Sequence, residues 1–193
     1  KDQDLWNKFI SLGMDAKEAR QVFQIYKGNI LIDNSRGIVQ INEVIDLIAD
    51  GFEQVMNAGP LAREPCDKVL VRITDMKLHE DAIHRGPAQV YPAVREGIRA
   101  AMANADTVIF EPLQTLQIDA PEQYLGEMSK IIQNKRGQLL DVVSESGMIS
   151  VKCKMPVAEM FGFTSDLRSA TGGRGSHFLV DQVFEKMPEE LQK

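Results

Sequence analysis

Cysteine, tryptophan and histidine are scarce in this sequence of 193 residues, at two, one and three. Cys66 and Cys153 lie far apart and in no metal-binding spacing. A secreted domain held by disulfides would carry more, so two reduced, buried thiols of an intracellular protein are expected. Long apolar runs are absent too: nothing approaches the roughly 20 apolar residues that span a bilayer, and no charged–apolar–small leader opens the chain. A membrane protein is therefore not expected. Nor is there a basic excess. Through Phe110 there are 13 basic and 16 acidic residues, beyond it 9 and 12, so each part carries −3 of the net −6. Neither part is a basic nucleic-acid clamp, and any RNA contact must use a local patch rather than the bulk field.

The common chemical signatures are also missing. No G-x-x-x-x-G-K-[ST] or G-x-G-x-x-G phosphate loop occurs, and no G-x-S-x-G elbow. The nearest glycine cluster, TGGRGSH at Thr171–His177, stands where a helix should give way to a strand. Phosphate cradles form at the opposite junction, so this cluster reads as a helix cap and turn. Leu78–Gln89 is LHEDAIHRGPAQ, in which His79, Asp81 and His84 have the spacing H-x-D-x-x-H. That differs from the H-E-x-x-H that places two histidines on one helix face, and no third ligand is near, so no metal site is expected.

What is present is a legible alternation of elements. MDAKEARQVFQIY has apolar residues at Ala19, Val22, Phe23 and Tyr26 and predicts a short amphipathic helix. Gly28-Asn29 and Asp33–Gly37 make a turn-rich stretch. Ile41, Ile45, Ile48, Phe52 and Val55 line one face of a second helix, with Asn42 a candidate N-cap and Gly59-Pro60 its stop. KVLVRITDMK alternates Val69, Val71 and Ile73 against Leu70, Arg72 and Thr74, the pattern of a strand with one buried face. From about Pro87 a third helix carries Val94, Ile98, Ala101 or Met102, and Ala105, with Pro92 tolerable near its start. The two-histidine stretch is thus an exposed strand-to-helix connection, where function tends to sit. A strand-end histidine bonded to loop backbone is an alternative reading of His79, and an exposed histidine with no task an alternative for His84.

After Glu111-Pro112, where the chain should be extended, a pattern repeats. Strand-like LQTLQID leads to a helix opened by Pro121 and closed by Gly137, then to QLLDVV; MISVKCKM leads to a helix opened by Pro156 and closed by Gly172-Gly173, then to HFLVDQVF. Two matched βαβ halves joined at Ser146-Gly147 predict a ferredoxin-like split-βαβ sandwich from about residue 111. Arg168 is expected to cap carbonyls or pair with Asp166. The chain begins at Lys1 without an initiator methionine and stops within PEELQK, and a piece of something longer is expected.

The strings LHEDAIHRGPAQVYPAVREGI, EPLQTLQIDAPEQYLGEM, KRGQLLDV, MPVAEMFGFTSDLRSATGG and FEKMP, in this order, resemble the last two domains, four and five, of the translation elongation factor 2 family, in its archaeal wording. Gly86-Pro87-Ala88 departs from the triple glycine of eukaryotic members. The resemblance implies an α+β chain of two domains. Residues 1–110 would be domain four, an α/β sandwich like domain 2 of ribosomal protein S5 with a left-handed crossover, and 111–193 the ferredoxin-like domain five. It implies that the intact protein is a cytoplasmic GTPase that binds GTP and magnesium and drives movement of tRNA and mRNA on the ribosome. This part would hold no cofactor, metal or catalytic residue. His84 would be the histidine modified to diphthamide, the target of diphthamide-synthesis enzymes and of diphtheria-type ADP-ribosylating toxins. His79, Asp81, His84 and Arg85 would form a tip that meets ribosomal RNA, tRNA and mRNA in the decoding region, and the chain would be a monomer. Two other classes stay open on fold alone: a small-molecule enzyme of ferredoxin-like type, and an effector-binding module that dimerises.

Overall fold

A computed structural model describes residues 3–35 and 41–192. The chain divides into two compact units, Lys1–Thr107 and Val108–Lys193.

In the first unit, helix α1 spans Gln3–Ser11 and α2 spans Ala16–Gln21. Asp15 caps α2, its carboxylate accepting from the N–H groups of Lys17 and Glu18 at 2.8 and 3.2 Å. The expected helix through Tyr26 is corrected here: α2 stops at Gln21, and Val22–Tyr26 is strand β1, antiparallel to β2 at Asn29–Asp33. VFQIY is β-branched and aromatic, and Lys27 and Gly28, at φ 45° and 80°, make the tight turn that folds it back on NILID. Strand β2 fell inside the supposed turn-rich stretch. Its Asn29, Leu31 and Ile32 are fully buried, while Arg36 and Gly37 lie outside the described residues.

Helix α3, Ile41–Asn57, buries Ile41, Val44, Ile48, Phe52, Val55 and Met56, and Ile45 sits at the edge of that stripe. Asn42 lies within the first turn rather than at the cap, because the helix already begins at Ile41. Strand β3, Leu70–Ile73, pairs parallel to β2, giving the sheet order β1-β2-β3. Val69, Val71 and Ile73 pack on the core while Leu70 and Arg72 are exposed, as the alternation predicts. Helix α4, Pro87–Ala103, adds Val90, Val94, Ile98 and Met102 to the same core, at the spacing of one helix face. Two helices over one sheet hold the connection from β3 to α4 at an end of this layer.

The second unit has strands β4 (Phe110–Pro121), β5 (Gln138–Glu145), β6 (Met148–Pro156) and β7 (Ser176–Lys186), with helices α5 (Leu125–Asn134) and α6 (Phe163–Ala170). Sheet order is β5-β6-β4-β7, every neighbouring pair antiparallel. Hence β4 and β5 run parallel with β6 between them, and β6 and β7 run parallel with β4 between them. That interleaving of two βαβ crossovers is the ferredoxin-like arrangement the repeat predicts. Leu116, Ile118 and Ala120 of β4 and Ile149, Val151, Cys153 and Met155 of β6 meet Met128, Ile132, Phe163 and Leu167 from the helices. Glu111, nearly buried, receives Arg136 through both carboxylate oxygens at 3.1 and 2.7 Å, fixing the start of β4 against the end of α5. Among the described residues no helix is long and apolar enough to cross a membrane.

Candidate functional site

The connection from β3 to α4 starts tethered, with Met76 and Leu78 packing on the first unit's core. From His79 to His84 every residue is exposed. Asp81 then organises a single turn of 3-10 helix, Ala82–His84. Its Oδ1 accepts from the Ile83 N–H at 3.1 Å, and its carbonyl accepts from the His84 N–H at 3.1 Å. The Arg85 N–H closes the turn on the Ala82 carbonyl at 3.0 Å. Gly86 precedes α4, and its carbonyl accepts from Gln89 and Val90. Pro87 takes the first helical position, where a missing N–H costs little.

His79 Nδ1 accepts the Asp81 N–H at 3.0 Å. That bond needs an unprotonated Nδ1, so the ring's proton belongs on Nε2. The ring also stands edge-to-face on His84, centroids 4.6 Å apart at 68°. The backbone-bonded reading of His79 is therefore realised in the geometry. The His84 imidazole makes no side-chain hydrogen bond among the described residues, and the residue is exposed. Beside it Ile83 is 75% exposed, an apolar side chain at the apex of the turn.

Arg85 is different. Its side chain is only 9% exposed. Nη1 donates to the His79 and Glu80 carbonyls, both at 2.8 Å, and Nε and Nη2 donate to Glu43 Oε2 at 3.0 and 2.5 Å. The guanidinium is occupied in framing the loop rather than held out to solvent. Glu43, in the first turn of α3, was not legible as part of this site: it lies 42 residues from Arg85, and an acidic residue at a helix start has a sufficient local reason in the helix dipole.

The four expected tip residues are thus brought together, two as exposed imidazoles, Asp81 as a cap and Arg85 as a brace. Among the described residues no three His, Cys, Asp or Glu side chains are grouped to hold a metal ion. In the second unit the TGGRGSH segment ends α6 as a cap: the Gly173 N–H bonds the Arg168 carbonyl at 2.7 Å, and Thr171 Oγ1 accepts from the Gly175 N–H at 2.8 Å. The expected pairing of Arg168 with Asp166 does not form, because Asp166 is engaged by Lys135 at 3.1 Å, and Arg168 is exposed.

Fold and loop together define a two-domain α+β module that presents a braced, histidine-bearing turn. Comparison with known proteins makes the class particular. Residues 1–106 match the family model for elongation factor G, domain IV, and residues 108–193 match that for the elongation factor G C-terminus. The chain belongs to this elongation factor family and spans its domain IV and C-terminal domain. Similar curated proteins are archaeal and named elongation factor 2. That of Nanoarchaeum equitans is 49% identical over 98% of this chain, that of Pyrococcus horikoshii 46% over 98%, and that of Methanocaldococcus jannaschii 47% over 100%. The chain spans 26% of the length of each.

Proposed function

We propose that this chain is the ribosome-facing end of a translocase, with the Ala82–His84 turn as its contact point in the decoding region. In this reading the intact protein binds GTP with magnesium through domains outside this chain, acts in the cytoplasm as a monomer, and moves tRNA and mRNA after each peptide bond. The observation that carries it is the exposure of His84 on a turn whose backbone is fixed on both sides. A braced turn holding exposed histidines and Ile83 suits contact with nucleic-acid bases and phosphates, by hydrogen bonding, stacking and apolar contact. His84 is the acceptor of the diphthamide modification, made by the diphthamide-synthesis enzymes, and thereby the target of ADP-ribosylating toxins. His79 and Asp81 shape the turn, and Arg85 braces it from behind rather than touching RNA.

The test is the intact mass and peptide map of the protein purified from its own cells, beside a His84→Gln variant. Added mass on His84, lost in the variant along with toxin labelling, is the expected result. Modification at His79, or none in cells with a working pathway, overturns the assignment. An enzyme of ferredoxin-like type is the weaker reading, because the ionisable groups that meet on the second unit's sheet are engaged in ion pairs, Glu111 with Arg136 and Glu185 with Lys154.

A further inference from the structure

We propose that Glu43 is a positioning residue for the His84 turn, acting across the fold through Arg85. The inference rests on the reading that this turn is the contact and modification site, and adds what holds it in one shape.

Glu43 stands on a rigid base: it lies in the first turn of α3, and its helix neighbours Ile41 and Val44 are both core residues. From there one carboxylate oxygen receives two donors of the Arg85 fork. The remaining donor nitrogen holds the His79 and Glu80 carbonyls. His79 in turn fixes the Asp81 N–H through its ring, and Asp81 caps the turn that ends in His84. The chain of bonds therefore runs from a core helix to the modified residue without a gap. An exposed ion pair contributes little by itself, but this guanidinium is nine-tenths covered and makes four hydrogen bonds in one plane-bound fork. Without Glu43 a covered cation loses its counter-charge and is drawn toward water, taking from the two carbonyls their donor. A lysine could keep the charge yet not the fork, since its ammonium is a point donor on a flexible stem. Ordering the turn beforehand also lowers the entropy lost when a partner or modifying enzyme docks.

The test uses the full chain with Glu43→Gln, Arg85→Lys and, as a control on the other reading, His84→Gln. Amide exchange at Asp81, Ile83, His84 and Arg85 should quicken at least tenfold in the first two variants, while core amides of α3 and α4 keep their rates and the urea midpoint holds. Produced in cells with the modification pathway, Glu43→Gln should carry at least tenfold less modified His84 at that unchanged stability. Unchanged exchange in Glu43→Gln overturns the proposal, and so does a loosened turn that is still modified in full. If His84→Gln keeps its modification, the assignment of the acceptor fails instead, and the exchange data still decide the role of Glu43.

Discussion

The amide of Asn29 is fully buried and makes four hydrogen bonds: Nδ2 donates to the carbonyls of Tyr26, Lys27 and Cys66, and Oδ1 accepts from the Val69 N–H. One side chain therefore ties the β1–β2 hairpin to the start of β3. Asn29→Ala leaves several of these partly buried groups without their partner. A loss of about 2–4 kcal/mol is expected from such orphaned groups, read as a lower urea midpoint with an unchanged slope. His84 is the opposite case, exposed and without a side-chain hydrogen bond among the described residues. Its replacement by alanine should move stability by no more than about 0.5 kcal/mol, as exposed substitutions away from caps and cores do. A larger loss, measured the same way, would mean that the His79–His84 ring contact supports the loop rather than the loop supporting the ring. In sequence, Asn29 was legible only as a turn former. Nothing local signals that its amide reaches Cys66 and Val69, which arrive from beyond a 17-residue helix.

Elements were readable where punctuation and periodicity agreed. In the second unit Pro121 and Pro156 stand at the ends of strands β4 and β6 and Gly137 follows α5, so the repeat could be counted off and the interleaved sheet inferred. In the first unit they disagreed. The run of helix formers before Val22 has no breaker, and apolar spacing through Tyr26 also fits a helix face. The strand there is decided by its partner β2, and the usable signal was Lys27-Gly28 between two runs rich in β-branched and aromatic residues. The loop was located by spacing, its role came from the family resemblance, and its brace was hidden because Glu43 and Arg85 meet only after α3 and α4 pack. Gly137 shows how closely one junction is fitted. Its N–H bonds the Ile132 carbonyl at 2.8 Å, and a Cβ there would lie 2.5 Å from Met155 Cγ and 2.7 Å from that same carbonyl oxygen. Gly137→Ala must push α5 and β6 apart, and a loss of about 1–3 kcal/mol is expected for such overpacking. An unchanged midpoint in chemical denaturation would show that the helix end moves freely.

For the molecule as a whole, the two units have separate cores, one gathered on α3 and α4 and the other between the β4–β6 sheet and its helices. Each contains one free cysteine, but they differ: Cys66 is half-buried, where both were expected to be buried, and Cys153 is fully so. Burial raises both thiols, Cys153 from the ordinary 9.0 to about 11. A thiol with a raised folded-state value stays protonated in the native core while the unfolded chain has begun to ionise. The unfolded state then holds fewer protons, so stability is complete below about pH 9 and falls as pH climbs toward about 11. At about pH 10.5 the loss from this one group should be about 2 kcal/mol. Cys153→Ala leaves a small cavity and starts less stable, yet has no thiolate to release. The difference between wild type and variant, from urea unfolding followed by circular dichroism, should therefore shrink from about pH 8 to about pH 10.5 by that amount. Every other titratable group is common to both proteins and cancels in the difference. Two parallel stability curves over that range would mean that the native state admits the thiolate, and that the core around Leu116, Val151 and Cys153 opens to water without unfolding.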